Sequence, residues 1–312
     1  MYPQSTRPFR FAIQAQRASS AGEWRDRARK IEALGYDLML MADHFGPQLG
    51  VAPALAVAGE VTTTLRIGQL VLQNDLRHPA LLAKEVATLD LLSEGRFELG
   101  IGAGGSYPPD FDWTGISFDP APIRVDRLRE SIDVLKGLFT DGPFTYQGTH
   151  FTITDYDGMP KPIQRPHPPF LIGAGGPRML RLAALQADII GLLPSMGPGG
   201  ADFALREMTV AGLAEKVEFI REVAPDRFDS IEFNSLTQVF ELTDNRQAAL
   251  NRLSEEWEQD PQNWQESPFL LIGSREKIAD DIREYRERLG FTYFVLRDHM
   301  IDDFAPILAK LK

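Results

Sequence analysis

The sequence predicts the α/β class, specifically a closed (β/α)8 TIM barrel. Three observations support this: eight apolar strand candidates, amphipathic helical patterns between them, and glycines where the strands end. The strand candidates are residues 10–16, 36–43, 66–72, 96–102, 170–174, 188–193, 231–242 and 292–297. Most are continuous apolar runs, as expected of parallel strands covered on both faces.

The helices follow from spacing and end signals. Ser20 and Glu23 form a capping box, and Trp24, Ala28, Ile31 and Leu34 trace one face behind it. In the stretch 77–105, RHPALLAKEVATLDLLSEGRFELGIGAGG, Pro79 suits a first helical turn, and Leu82, Val86 and Leu89 share a face. Gly95 can take the left-handed conformation that stops this helix. An apolar strand follows and opens into Ala103, Gly104 and Gly105, where a ligand could approach the backbone closely. Near the other end, Ile278, Ile282, Tyr285 and Leu289 repeat the helical pattern and Gly290 ends it.

Length suits one such barrel spanning residues 1–312, with insertions near 106–120 and 141–169. Both insertions are rich in proline, glycine and aromatics. They read either as substrate-shaping loops above the C-terminal face or as exposed decoration.

Composition narrows function. A hydrophobic fraction of 43% with 25% charged residues supports a globular core without staples. There is no cysteine, which removes disulfides, thiolate catalysis and iron–sulfur chemistry. A net charge of −11 argues against nucleic acid or an anionic membrane as partner. No apolar run approaches the roughly 18 residues of a membrane span, and MYPQSTRPFRFAIQ lacks a signal-like apolar stretch. The expectation is a soluble, cytoplasmic protein acting on a small molecule.

Candidate chemistry clusters at strand ends. Gly100 to Gly105 matches GxGxxG, but SYPPDFDWTG after it cannot open the helix that a dinucleotide's pyrophosphate needs. In IGAGGPRML, Gly173, Gly175 and Gly176 end a strand before Pro177. This suits a phosphate at a helix N-terminus with Arg178 assisting, or an ordinary tight turn. Asp43 and His44 follow a strand, as a proton-handling pair or a structural one. The five histidines show no metal spacing, and His78 before Pro79 reads as structural. Neither a serine elbow nor a P-loop is present.

ADHFGP at 42–47, the stretch 77–104, and IGAGGPRML followed by ADIIG together resemble the bacterial luciferase-like superfamily of flavin and deazaflavin enzymes. Asp43-His44-Phe45 is most similar to the coenzyme F420 branch, particularly the F420-dependent glucose-6-phosphate dehydrogenase group. The resemblance implies a homodimeric barrel holding the deazaflavin at its C-terminal mouth. It implies that Asp43 binds the coenzyme and His44 stands at the reactive ring face. It places a non-proline cis peptide at Gln69-Leu70, and Leu72, Ala103 and Gly104 around the ring. Gly175, Gly176, Arg178 and Met179 would meet the phosphate.

There are departures from that group. Gly105 stands where it has a catalytic glutamate, Gln48 replaces its aromatic, and SMGPGG at 195–200 offers no lysine for a sugar phosphate. Tyr107, Phe111, Trp113 and the Met196 region suggest a less charged, aromatic pocket, or packing under a loop. The implied activity is hydride transfer with F420, in the direction of substrate reduction. The alternatives are an FMN-dependent monooxygenase and a non-catalytic flavin-binding protein.

Overall fold

A computed structural model describes residues 6–105, 109–195 and 205–312. Eight strands form the barrel: β1 (Arg10–Gln14), β2 (Leu38–Met41), β3 (Arg66–Gln69), β4 (Phe97–Gly102), β5 (Phe170–Ala174), β6 (Ile189–Leu192), β7 (Glu232–Leu236) and β8 (Phe291–Arg297). Each is parallel to its neighbours, and β8 pairs with β1 to close the ring. The fold is the expected (β/α)8 barrel.

Helices return the chain between strands: α1 (Ala21–Ala33), α2 (Val51–Glu60), α3 (Pro79–Leu92), α4 (Pro109–Thr114), α5 (Ala121–Phe139), α6 (Pro177–Gln186), α7 (Val210–Val223), α8 (Arg246–Trp257), α9 (Arg275–Leu289) and α10 (Ile301–Leu311). Their ends obey the sequence signals. Ser20 caps α1 by accepting from Glu23 N, although Glu23 reaches Ser19 N to complete the reciprocal bond. Gly290 ends α9 with φ of 76°. His78 caps α3 through Nδ1, the structural role expected of it.

Three expectations need correction. The run 231–242 is two strands: the chain leaves β8 at Thr237, and Val239–Leu242 pairs with Leu270–Gly273 outside the barrel. That second strand went unread because a four-residue apolar run carries no periodicity to distinguish it. The insertion 141–169 does not sit above the C-terminal face. It follows a helix and precedes a strand, so it starts and ends at the N-terminal rim. Its hairpin (Phe144–Gln147 with Thr152–Tyr156) lies along α5, where Glu130 accepts from the backbone of Thr149, His150 and Phe151. Gln164 then reaches Asp90 and the Phe97 carbonyl at the foot of β4. Finally, PDFDWT forms the short helix α4, with Asp110 and Phe111 buried.

The barrel interior is charged at its foot and apolar above. Arg10 pairs with Glu98 and, at 2.7 Å, with Glu232; Arg66 Nε lies 2.7 Å from Glu98. Arg10 also covers the Tyr293 ring at 4.5 Å. Burial works against the Arg10 charge, but Glu98, Tyr293 and Glu232 together raise its pKa above the ordinary arginine value. Above this plug, Ala12, Leu38, Leu40, Leu171, Ile189 and Val295 fill the axis, with Leu70, Val71 and Leu236 packed against them.

Candidate active site at the barrel mouth

The floor of the mouth is the turn after β3. The peptide between Leu70 and Val71 is cis, one bond beyond the expected Gln69-Leu70. Both side chains are half-buried and join the interior cluster, so an apolar seat lies on the barrel axis. Glycines make room for it. A Cβ on Gly100 would stand 1.8 Å from Gln69 O, and one on Gly102 3.0 Å from Val71 Cγ2. Gln14 Nε2 donates to Leu70 O at 3.1 Å, fixing the seat from the opposite strand.

This inward turn decides which predicted residues reach the mouth. Leu72 does not: it is 3% exposed and lines a small cavity with Val51, Ala52, Leu82 and Val86, on the helix side of the wall. Gln69 lines the same cavity, and its Oε1 accepts from Gly100 N at 3.3 Å. Alternation along the strand puts Leu72 outside and Gln73 inside.

On the β2 side of the rim, Asp43 and His44 are adjacent in sequence but have different partners. Both Asp43 oxygens are held by the Arg77 fork, at 2.6 and 3.1 Å, and Gln73 N donates to one of them. Burial works against the Arg77 charge, yet the bonds and charge of Asp43 outweigh it and raise the pKa. His44 Nδ1 lies 2.6 Å from Oδ2 of Asp110 on α4. Asp110 is fully buried and accepts from Phe45 N (2.9 Å) and Gln73 Nε2 (2.8 Å) as well. A carboxylate so surrounded accepts from the imidazole too, which fixes the tautomer and turns Nε2 away from the pair. The His44 side chain keeps 31% exposure. Phe111, on the same helix, packs against Phe118 rather than lining a pocket, whereas Trp113 is exposed.

The turn after β4 is set by positive φ at Gly104 (73°) and Gly105 (98°). Arg124 holds it, donating to the carbonyls of Ala103 (3.0 Å) and Gly104. A Cβ on Gly105 would meet the guanidinium at 2.4 Å, so a side chain at the glutamate position of the resembled group would displace Arg124 and strain a backbone at φ of 98°. Burial lowers the Arg124 pKa from its ordinary value. Facing Gly104 is Gln73 Oε1, a buried acceptor with no partner among the described residues.

At β5, Gly176 is the N-cap of α6 and supplies no side-chain bond to the helix end. The Gly175 carbonyl is turned away toward Ser195 Oγ and the buried Lys216. Arg178, at the start of α6, lies 2.5 Å from Asp126 on α5, and both side chains are about half exposed. Met179 packs against the core between barrel and helices. Tyr107 and the Met196 region lie outside the described residues. No group of three metal-ligating side chains occurs among the described residues.

Sequence reasoning missed Asp110, Gln73, Arg77 and Arg124. Arg77 stood in view as the residue before a helix start, and Asp110 as the acid inside a proline-aromatic stretch. Nothing local tied either to the Asp43-His44 pair.

A (β/α)8 barrel with a bulged apolar seat on its axis and glycine turns around it defines the class. Residues 6–218 match the luciferase-like monooxygenase family, and the chain belongs to that family. Among curated relatives, an F420-dependent glucose-6-phosphate dehydrogenase of Microbacterium testaceum is 28% identical, covering 94% of this chain and 92% of that one. The counterpart from Beutenbergia cavernae is also 28% identical, over 88% and 86%. Among solved structures, the coenzyme F420-dependent tetrahydromethanopterin reductase of Methanopyrus kandleri superposes with a TM-score of 0.78 at 19% identity, covering 98% of this chain and all of that one. A long-chain alkane monooxygenase gives 0.77 at 15%, covering 98% and 91%. These two likenesses bear on the fold. No helix among the described residues is long and apolar enough to cross a membrane.

Proposed function

We propose that this protein is an F420-dependent oxidoreductase that reduces a small organic substrate by hydride transfer. The observations that carry the reading are the apolar seat of Leu70 and Val71 in the mouth and, on the β2 side of the rim, an imidazole braced by Asp110. The site fits a flat ring in two ways. Gly100 and Gly102 let the strand pass close against Gln69 and Val71, and Gln73 Oε1, without a partner among the described residues, would accept from a ring or substrate N–H. The F420-dependent relatives, similar along nearly the whole chain, favour a deazaflavin over other rings.

Bound F420 would supply a two-electron centre that gives up hydride and reacts poorly with oxygen. Leu70 and Val71 would back the ring, Ala103 and Gly104 would border it, and the Gly175–Gly176 turn would face the phosphate. His44, entering the step as the imidazolium with Asp110 accepting from Nδ1–H, gives its Nε2 proton to the substrate and is left neutral. Both Asp43 oxygens are engaged, so Asp43 orients this rim with Arg77 and meets the coenzyme only beside that fork. Leu81, Leu91 and Leu92, exposed along α3, offer an apolar face for the homodimer expected of the family.

Monooxygenases with the same fold make FMN the second reading. Titration with F420 and with FMN, followed by turnover under air and under nitrogen, tests both. F420 binding with oxygen-independent turnover is expected. Turnover requiring reduced FMN and oxygen would replace this reading with the second. Binding of either ring without any turnover would leave a carrier.

A further inference from the structure

The mouth has two unlike walls. Strands β4 and β5 approach the Val71 turn with Gly100, Gly102 and Gly173, whereas β8 and β1 bring the polar side chains of Arg297 and Gln14 to the rim. Along β8, Tyr293 and Val295 point into the interior cluster, and the two-residue period brings Arg297 to the rim above them. Gln14 on β1 is its register partner. Because Gln14 reaches Leu70 O, Arg297 overlooks the seat itself.

The surroundings of Arg297 are unusual for a cation. Its guanidinium lies 2.9 Å from Gln238 Oε1 and 3.4 Å from Gln14 Oε1, both neutral acceptors. Among the described residues, no carboxylate lies within 4.0 Å of it. The neighbouring Asp298 is directed instead to Arg27, at 3.1 Å. Burial lowers the Arg297 pKa, and Asp298 only partly opposes this. By contrast, Arg77 on the same rim is matched by Asp43. A partly desolvated guanidinium facing only amide oxygens carries a solvation cost that an anion would relieve, and its fork suits a carboxylate.

We propose that Arg297, oriented by Gln14 and Gln238, binds the carboxylate of the substrate, making this an enzyme for small organic acids with a reducible carbon–oxygen or carbon–carbon double bond. The proposal rests on the oxidoreductase reading above. Around the rim Arg297, Gln14 and the His44 turn belong to successive strands β8, β1 and β2. A molecule anchored on Arg297 therefore extends toward His44. The coenzyme's own acidic tail is a poorer candidate, since the Gly175–Gly176 turn proposed for its phosphate stands on β5, three strands away. The carboxylate takes no part in bond making; it fixes which end of the molecule points inward.

Calorimetric titration of the coenzyme-free protein with levulinate, succinate and pyruvate, each against its methyl ester, tests this directly. The wild type is expected to prefer at least one acid over its ester by about tenfold or more, since a bond between charged groups is worth roughly 1.5–3 kcal/mol. Arg297→Gln removes the preference, Arg297→Lys retains part of it, and F420 affinity stays within about twofold in both. Equal affinity for acid and ester, no measurable binding of any probe, or a preference that survives in Arg297→Gln would overturn the proposal. So would an F420 affinity that falls tenfold in Arg297→Gln, which would assign the guanidinium to the coenzyme. Since the acid titration needs no coenzyme, failure of F420 to bind would overturn the oxidoreductase reading separately.

Discussion

The two ends of the barrel handle charge in opposite ways. At the foot, Arg10 and Arg66 meet Glu98 and Glu232, two cations against two anions, with Glu98 and Glu232 almost fully buried. At the mouth Asp43 and Arg77 cancel in the same way. His44 stays partly open, Arg297 faces amides, and Gln73 Oε1 has no donor. The foot balances its charges within the chain, although Glu98 Oε2 and Tyr293 OH have no hydrogen-bond partner among the described residues, whereas at the mouth Arg297 has no carboxylate among the described residues within ion-pair reach.

Mutations can break that division, and the largest effect is expected at His44. His44→Ala should lower kcat with reduced F420 by about 10²–10⁴-fold, the usual share of a positioned proton donor, with almost unchanged thermal unfolding. Equal losses of rate and stability would make His44 a structural group and erase the contrast.

Arg10→Met should do the reverse. It leaves two buried carboxylates short of a cation, a cost of about 3–5 kcal/mol in denaturant unfolding. Turnover per folded molecule should remain. A stable variant with impaired turnover would mean that the foot and the mouth are coupled.

The smallest effect sharpens the picture at acid pH. Glu32 accepts from the backbone N–H groups of Thr63, Thr64 and Leu65 just below β3. Burial pushes its pKa up, but these bonds outweigh that and bring it down to about 2. A depressed folded-state value means the stabilisation is complete above the ordinary carboxylate range and fades as pH falls from about 4.5 toward 2. The Tm gap between wild type and Glu32→Gln should therefore be widest near neutrality and close by about pH 2. A gap independent of pH would assign the effect to packing.

Much of the scaffold was legible because it repeats. Apolar runs, helix stripes and glycine stops each carry their own local signal, and Gly95 and Gly290 have the positive φ their positions suggested. The placement of 141–169 was wrong for a reason the sequence itself contained. In an alternating barrel, a segment between helix and strand belongs to the foot, whatever its composition. The site was legible only in part. His44 announces itself, but Asp110 lies 66 residues away and becomes its partner through tertiary folding alone. Arg297 reads as a polar residue closing a strand until the two-residue period assigns it a face.

That Asp110 belongs to α4, rather than to a barrel strand, has a consequence for engineering. Exchanging residues 106–120 with a relative's loop changes the acid behind the imidazole along with whatever the loop displays outward. A chimera keeps the His44 Nδ1 contact only if the donated segment carries an aspartate at the second position of its own short helix.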